Sequence, residues 1–257
     1  MSKQFSNQKI DLRGISRLLV DTVVGVTELI DSFQRSLSSV VIKDSKVNHL
    51  PLSRKILRSI QSVAVWTGDK MDKPLALANE LLADKTLSPF HQGLLSAING
   101  VLGDYLVAND NPLAISMQFR KEGITLNDND LKTLIEQSNG NFLIMVHGSC
   151  LNDLKWNSKG HNHGELLAKE LGMTTLYLLY NSGLHISENG KQLSLLLNAV
   201  NQLSSKPLQL NILAHSMGGL VARSACYYAQ ENKSSWLDQM KKMIFLGSPH
   251  NGAPLEK

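Results

Sequence analysis

The sequence predicts an α/β protein in which a parallel-sheet core over residues 111–257 follows a helical N-terminal region over residues 1–110. Three observations lead there. After Asn109-Asp110-Asn111-Pro112, a cluster of turn formers, apolar runs of strand length alternate with helical stripes, the pattern of a parallel sheet covered on both faces. Before it, apolar residues recur only at three- and four-residue steps. The composition, 42% hydrophobic and 19% charged over 257 residues, suits one large globular domain or two smaller ones and excludes disordered, collagen-like and proline-rich classes.

Two cysteines, Cys150 and Cys226, are too few for a disulfide framework or a structural zinc site, and point to a reducing compartment. Asp21, Glu28 and Asp31 interrupt the apolar runs after the first basic residues, so no secretory signal is read. No stretch approaches the ~18 apolar residues of a membrane span. A cytoplasmic location, with membrane-peripheral contact as the variant, is the expectation. Residues 1–60 hold 10 Lys/Arg against 5 Asp/Glu, and the rest 16 against 17, so the net charge of +4 belongs to one end. That end can touch anionic lipid, although a modest basic balance on a helical face is commonplace, and no nucleic-acid partner is expected. Oligomeric state is not readable.

The helical region opens with Ile15, Leu18, Leu19, Thr22, Val23, Val26, Leu29, Ile30 and Phe33. Leu52, Ile56, Ile60 and Val63 form a second stripe, and a third candidate starts at Pro74. The fourth is the clearest: Phe90, Leu94, Leu95, Ile98, Val101, Leu102, Tyr105 and Leu106, after Ser88-Pro89 with Ser88 placed to cap. Mutual packing, as a cover or accessory domain on the core, is the expected use of these faces. In the second region strands are expected at 114–120, 142–146, 176–180, 208–214 and 243–246. Helices are expected at 131–137 and 164–171, after Ser187 as a cap, and from Met217 onward.

The chemistry lies in LQLNILAHSMGGLVAR at 208–223, an apolar strand running through Ala214-His215-Ser216-Met217-Gly218-Gly219 into an amphipathic helix. This is the context of a nucleophile elbow, with A-x-S-x-G in place of G-x-S-x-G. The turn strains the serine backbone, and Ala214 and Gly218 are small enough for strand and helix to approach. The elbow lifts Ser216 to a helix N-terminus, where backbone N–H groups favour developing negative charge. Ser216 is the expected nucleophile and the Met217 amide one oxyanion donor. The second donor is expected from His147-Gly148-Ser149-Cys150, behind the 142–146 strand, at the Ser149 amide.

With both loops in place, the segment from about 140 onward resembles the α/β-hydrolases, more narrowly bacterial lipase and esterase types related to the GPI inositol-deacylase group. The stretches that carry the resemblance, besides the elbow, are HGSCLNDLKW at 147–156, HNHGELLAKELG at 161–172, YNSGLHISENG at 180–190 and FLGSPHNGAPLE at 245–256. It implies hydrolysis of carboxylic esters, often acyl lipids, with neither metal nor organic cofactor. A non-catalytic hydrolase-like binding module and an acyltransferase on the same site are the alternatives.

The other histidines divide by position. His161 and His163 form an H-x-H pair without a third ligand at recognisable spacing, so they are placed in the loop entering a helix and no metal is expected. His185, beyond the 176–180 strand, is a candidate for lining the substrate pocket, with a surface-loop hydrogen bond as the equal alternative. His215 should point away from the nucleophile. Cys150 is read as a packed thiol. In this fold the acid and base follow the serine in chain order. After Ser216 the chain holds only Glu231, Asp238, Glu256 and His250, none at the expected place. The expectation is therefore an N-terminal fragment of a longer hydrolase, lacking two strands, the acid and the base, and leaving 243–246 as an exposed apolar edge.

Overall fold

The computed structural model describes residues 89–252 apart from Lys159. The chain divides between Lys85 and Thr86, and every described residue belongs to the second unit. The three helices expected before residue 88, and the basic segment with its lipid contact, lie outside the described residues.

Helix α1 is Pro89–Ala108, with Pro89 in its first turn, where a missing N–H costs nothing. The helix expected there belongs to the same unit as the sheet rather than to the N-terminal unit. Strand β1 (Gln118–Lys121) follows, then β2 (Ile124–Thr125), α2 (Asp128–Gln137) and β3 (Asn141–Val146). A short ladder of β4 (Asn157–Ser158) and β5 (His161–Asn162) leads into α3 (His163–Leu171). Then come β6 (Thr174–Leu179), α4 (Ile186–Leu203), β7 (Gln209–His215), α5 (Met217–Glu231) and β8 (Met240–Leu246).

The sheet order is β2-β1-β6-β3-β7-β8, with β6, β3, β7 and β8 parallel. Two expectations need correction here. The strand expected at 114–120 begins only at Gln118, because the Asn99 side chain binds the Leu113 carbonyl at 2.8 Å and the Ile115 N–H at 2.8 Å and keeps those residues out of a ladder. It also runs antiparallel to β6 and pairs with β2 through a two-residue turn, Glu122-Gly123, both at positive φ, which the right-handed twist of a hairpin favours. The sheet is thus mixed, with a parallel centre.

Alternation along the central strands sorts the core. Phe142, Ile144 and Val146 of β3 join Leu176, Leu178, Leu210 and Ile212 in facing α2, α4 and α5, through Ile135, Leu193, Leu197 and Val221. Leu143 and Met145, with Tyr177 and Leu213, meet Ala168 of α3 on the other face. Both faces of β3 are buried, which is why its sequence reads as one unbroken apolar run. Helix α2 starts three residues before the expected span, since Asn127 and Asp130 close a capping box there. Helix α4 is capped at His185, not Ser187; the His185 carbonyl takes the Asn189 N–H at 3.0 Å and draws Ile186 and Ser187 into the first turn.

Beneath α4 and α5, Trp236 is fully buried and its indole N–H points at Ser194 Oγ, 3.4 Å away. At the other end of the sheet Arg120 is buried on Asp153 (2.7 Å), with further bonds to Gln92 of α1 (2.8 Å) and the Gly123 carbonyl. Burial pushes the Asp153 carboxyl up in spite of that guanidinium, so the pair serves to join three segments more than to add net stability. Among the described residues β8 is the last strand of the sheet, and Ile244, Phe245 and Leu246 on it are 48%, 37% and 42% exposed.

Two stability outcomes follow. Trp236→Ala removes a fully buried aromatic and should cost about 3–5 kcal/mol in urea unfolding. Gly93 lies inside α1 with no described residue beyond its own helix within 4 Å of where a Cβ would stand, so Gly93→Ala should raise stability by about 1 kcal/mol in the same titration.

Candidate active site

The carboxyl ends of β3, β6, β7 and β8 lie along one edge of the sheet, so the loops 147–152, 180–185, Ser216 and 247–252 gather there. Chain order reverses between β3, whose connection leads to β6 on one side, and β7, whose connection leads to β8 on the other. A crevice at such a switch point is where open α/β sheets place their ligands. The two loops at this point are those of His147-Gly148-Ser149-Cys150 and Ser216.

Ser216 has φ 52° and ψ −127°, a conformation open to glycine and costly for any other residue by about 1–3 kcal/mol. The surroundings over-determine it. Its N–H continues the β7–β8 ladder to the Leu246 carbonyl at 2.8 Å, and its own carbonyl receives the Gly219 N–H at 3.0 Å. A methyl group on Gly218 would overlap the His147 carbonyl and lie 2.9 Å from the Val146 carbonyl. One on Gly219 would overlap Ser248 and lie 2.8 Å from Phe245. The paired glycines thus bring the first turn of α5 down onto the ends of β3 and β8, and Met217 becomes the first helical residue, its N–H unused within the helix.

Gly148 closes the other side. A methyl group there would stand 3.1 Å from Ser216 Cβ and 3.0 Å from His215 Nδ1, so the backbone of the 147–150 loop is packed directly on the elbow, with Ser149 next in line. The His147 side chain itself is buried, stacked on Tyr180 at 4.3 Å, with Nδ1 2.8 Å from the Gly148 carbonyl and no partner for Nε2 among the described residues. Tyr180 in turn donates its hydroxyl to the His147 carbonyl at 2.9 Å. The histidine of the H-G pair is a packing element of the loop; it does not face Ser216 as a base. Tyr180 was not singled out from sequence, and an aromatic directly after an apolar strand carries no signal that would mark it.

Burial pulls His147 down to about pKa 4, against a smaller upward pull from the Gly148 carbonyl. Burial also lowers His215, whose ring meets Trp156 edge-on at 6.4 Å, and raises the Cys150 thiol. At neutral pH none of the three carries a charge, and the backbone amides and the α5 dipole are the electropositive groups at Ser216.

The remaining sequence candidates are dispersed. His185 is exposed at the head of α4 and shares no hydrogen bond with Ser216. His161 lies on β5 and His163 opens α3, and no group of three or more metal-ligating side chains occurs among the described residues. Arg223 donates to His250 Nδ1 at 3.2 Å, and Phe245 meets that ring edge-on at 4.6 Å. Those two contacts hold the His250 ring, and no hydrogen bond joins it to Ser216 among the described residues. Glu231 ends α5 and Asp238 precedes β8, at the opposite end of the strands; Glu256 lies outside the described residues. No helix among the described residues is long and apolar enough to cross a membrane.

His147 makes stability depend on pH with a definite sign. Its folded pKa is depressed below the unfolded 6.5, so stability is full above pH 6.5 and falls as the unfolded chain takes up the proton, by roughly 3 kcal/mol down to pH 4. His147→Phe, which keeps a ring on Tyr180, should flatten that part of the stability profile measured by urea unfolding from pH 7 to 4.

Residues 139–257 match the family model of the PGAP1-like alpha/beta domain, a hydrolase family. Over that segment the resemblance to α/β-hydrolases related to the GPI inositol-deacylase group stands. Among solved structures the chain is similar to the Bacillus licheniformis lipase BlEst2. In the propeptide form the identity is 21%, over 44% of this chain and 23% of that one, at a TM-score of 0.37. In the mature form it is 19%, over 44% and 42%, at 0.36. The chain therefore spans less than half the length of either. No curated protein sequence matches it.

Proposed function

We propose that this hydrolase-like domain is a serine-dependent carboxylic ester hydrolase that works through an acyl-enzyme. The observation that carries the reading is the Ser216 backbone, φ 52° and ψ −127°, at a strand-to-helix turn with the Gly148 loop packed on its Cβ. Ser216 Oγ attacks the ester carbonyl carbon, and the tetrahedral oxyanion is received by the N–H groups of Met217 and Ser149. Collapse expels the alcohol, which takes up a proton, and leaves the acyl group on Oγ. Water then releases the acid and restores the serine. The reading assigns the role of general base for the Ser216 proton to none of the described residues. Carboxylic esters, small or lipidic, are the substrate class, and His185 is offered as a contact at the rim of the crevice.

A second reading, a non-catalytic hydrolase-like binding module, draws on one observation: Ser216 Oγ makes no hydrogen bond to a histidine or carboxylate among the described residues. Reaction with a small fluorophosphonate separates the two. The folded chain should be phosphonylated at Ser216 at least about 100-fold faster than the urea-unfolded chain, as preorganised oxyanion donors require. The adduct should vanish in Ser216→Ala. Equal rates for the folded and unfolded chains would favour the binding module.

A further inference from the structure

The 147–150 loop is gripped from two sides, and only one of them is the elbow. On the far side it meets α1. A methyl group on Gly100 would overlap the Cys150 thiol and lie 2.8 Å from Cys150 Cα, a backbone atom that no side-chain rotation can move away. Cys150 itself has φ 58°, left-handed for a residue with a Cβ, and its N–H is tied to Ser182 Oγ at 2.8 Å. A glycine in the interior of a 20-residue helix weakens the helix, and here it vacates the space that the cysteine fills.

Helix α1 is not free to yield. Asn99, fully buried, bonds to Leu113 and Ile115; the Gly103 carbonyl accepts from Asn181 Nδ2 at 3.0 Å; Gln92 accepts from the buried Arg120. A methyl group on Gly183 would overlap the Asn99 carbonyl and lie 2.7 Å from Gly103 N, so the 180–184 loop is seated on the same helix. Ser149 is thereby enclosed between two fixed neighbours, Gly148 against Ser216 and Cys150 against Gly100.

We propose that α1 is the positioning element of the oxyanion loop, with Gly100 as the positioning residue: its bare backbone seats Cys150 and so aims the Ser149 amide at the oxyanion formed on Ser216. The inference rests on the ester-hydrolase reading. It makes α1 part of the catalytic architecture and leaves no role for it as a movable cover, because moving it would release the amide.

The test uses the full chain as wild type, Gly100→Ala, Cys150→Gly, the double variant, and Gly93→Ala as a control on the same helix where an added methyl meets none of the described residues outside that helix. Two quantities are measured. One is the alkylation of Cys150 by N-ethylmaleimide, mapped by peptide mass spectrometry so that Cys226 is scored apart. The other is the limiting rate and the half-saturating concentration for phosphonylation of Ser216 by a fluorophosphonate. Gly100→Ala should speed alkylation of Cys150 and lower the limiting rate by about 100-fold, the scale of one lost oxyanion donor, at an unchanged half-saturating concentration. Gly93→Ala should change neither. Cys150→Gly should slow phosphonylation a few-fold, and the double variant should lose less than the two single losses combined, since the overlaps with Sγ and Cβ are gone and only the 2.8 Å approach to the Cα of residue 150 remains.

Faster alkylation with an unaltered phosphonylation rate would overturn the positioning role, as would additive losses in the double variant or an equal loss in Gly93→Ala. If Gly100→Ala does not fold, Cys150→Gly against wild type decides: an unchanged limiting rate rejects the proposal. A wild-type chain that labels no faster than its unfolded form defeats the ester-hydrolase reading itself and this inference with it, an outcome distinct from failure of the Gly100 comparison alone.

Discussion

Everything at the carboxyl edge of the sheet depends on one backbone conformation. Ser216 occupies a region that side chains disfavour, and an isolated chain would leave it. The conformation persists because β7 is paired on both sides, to β3 and β8, so the serine N–H is drawn to Leu246 as the last rung of a ladder. It also persists because Gly218 and Gly219 let α5 descend until helix and strand ends touch. The strain at one residue is thus set against the packing of the whole central sheet. A substitution that loosened any of these close approaches would relax the serine toward ordinary geometry and carry its hydroxyl away from the amides beside it.

The same constraint explains the electrostatics. Bringing the 147–150 loop onto the elbow buries His147 against Tyr180 and narrows the space around His215, and burial then strips both rings of their protons. The site is left with uncharged side chains around a hydroxyl and oriented backbone N–H groups. Such a surface favours charge that appears during a reaction over charge already present in a ligand, which suits a neutral ester better than an anion.

The parallel centre was legible in the residues because the two-sided burial of β3, β6 and β7 leaves unbroken apolar runs, and because the A-x-S-x-G turn with its second glycine is a steric requirement written directly in side-chain size. The antiparallel edge was not. Its start is set by Asn99, nineteen positions before β1 begins, and an asparagine in a helix gives no sign that it will bind two backbone groups of a later loop. The His185 cap was missed for a related reason, since Ser187 is the better cap by residue type while the chain satisfies the first turn through a backbone carbonyl. Helix α1 was legible as a helix but its contacts were not: its apolar stripe tells that a face is buried, whereas the choice of what buries it is made by Gly100, Gly103 and the loops they admit. Tertiary contacts between distant segments leave no period in a sequence.

The most direct measurement is the structure of the chain after reaction of Ser216 with a phosphonate, in which the phosphoryl oxygen stands where the oxyanion would form. The account predicts that oxygen within 2.7–3.1 Å of both the Met217 and Ser149 amide nitrogens, the separation that oxyanion donors adopt. A phosphoryl oxygen turned toward solvent, or held by Met217 with the Ser149 N–H aimed elsewhere, would contradict it.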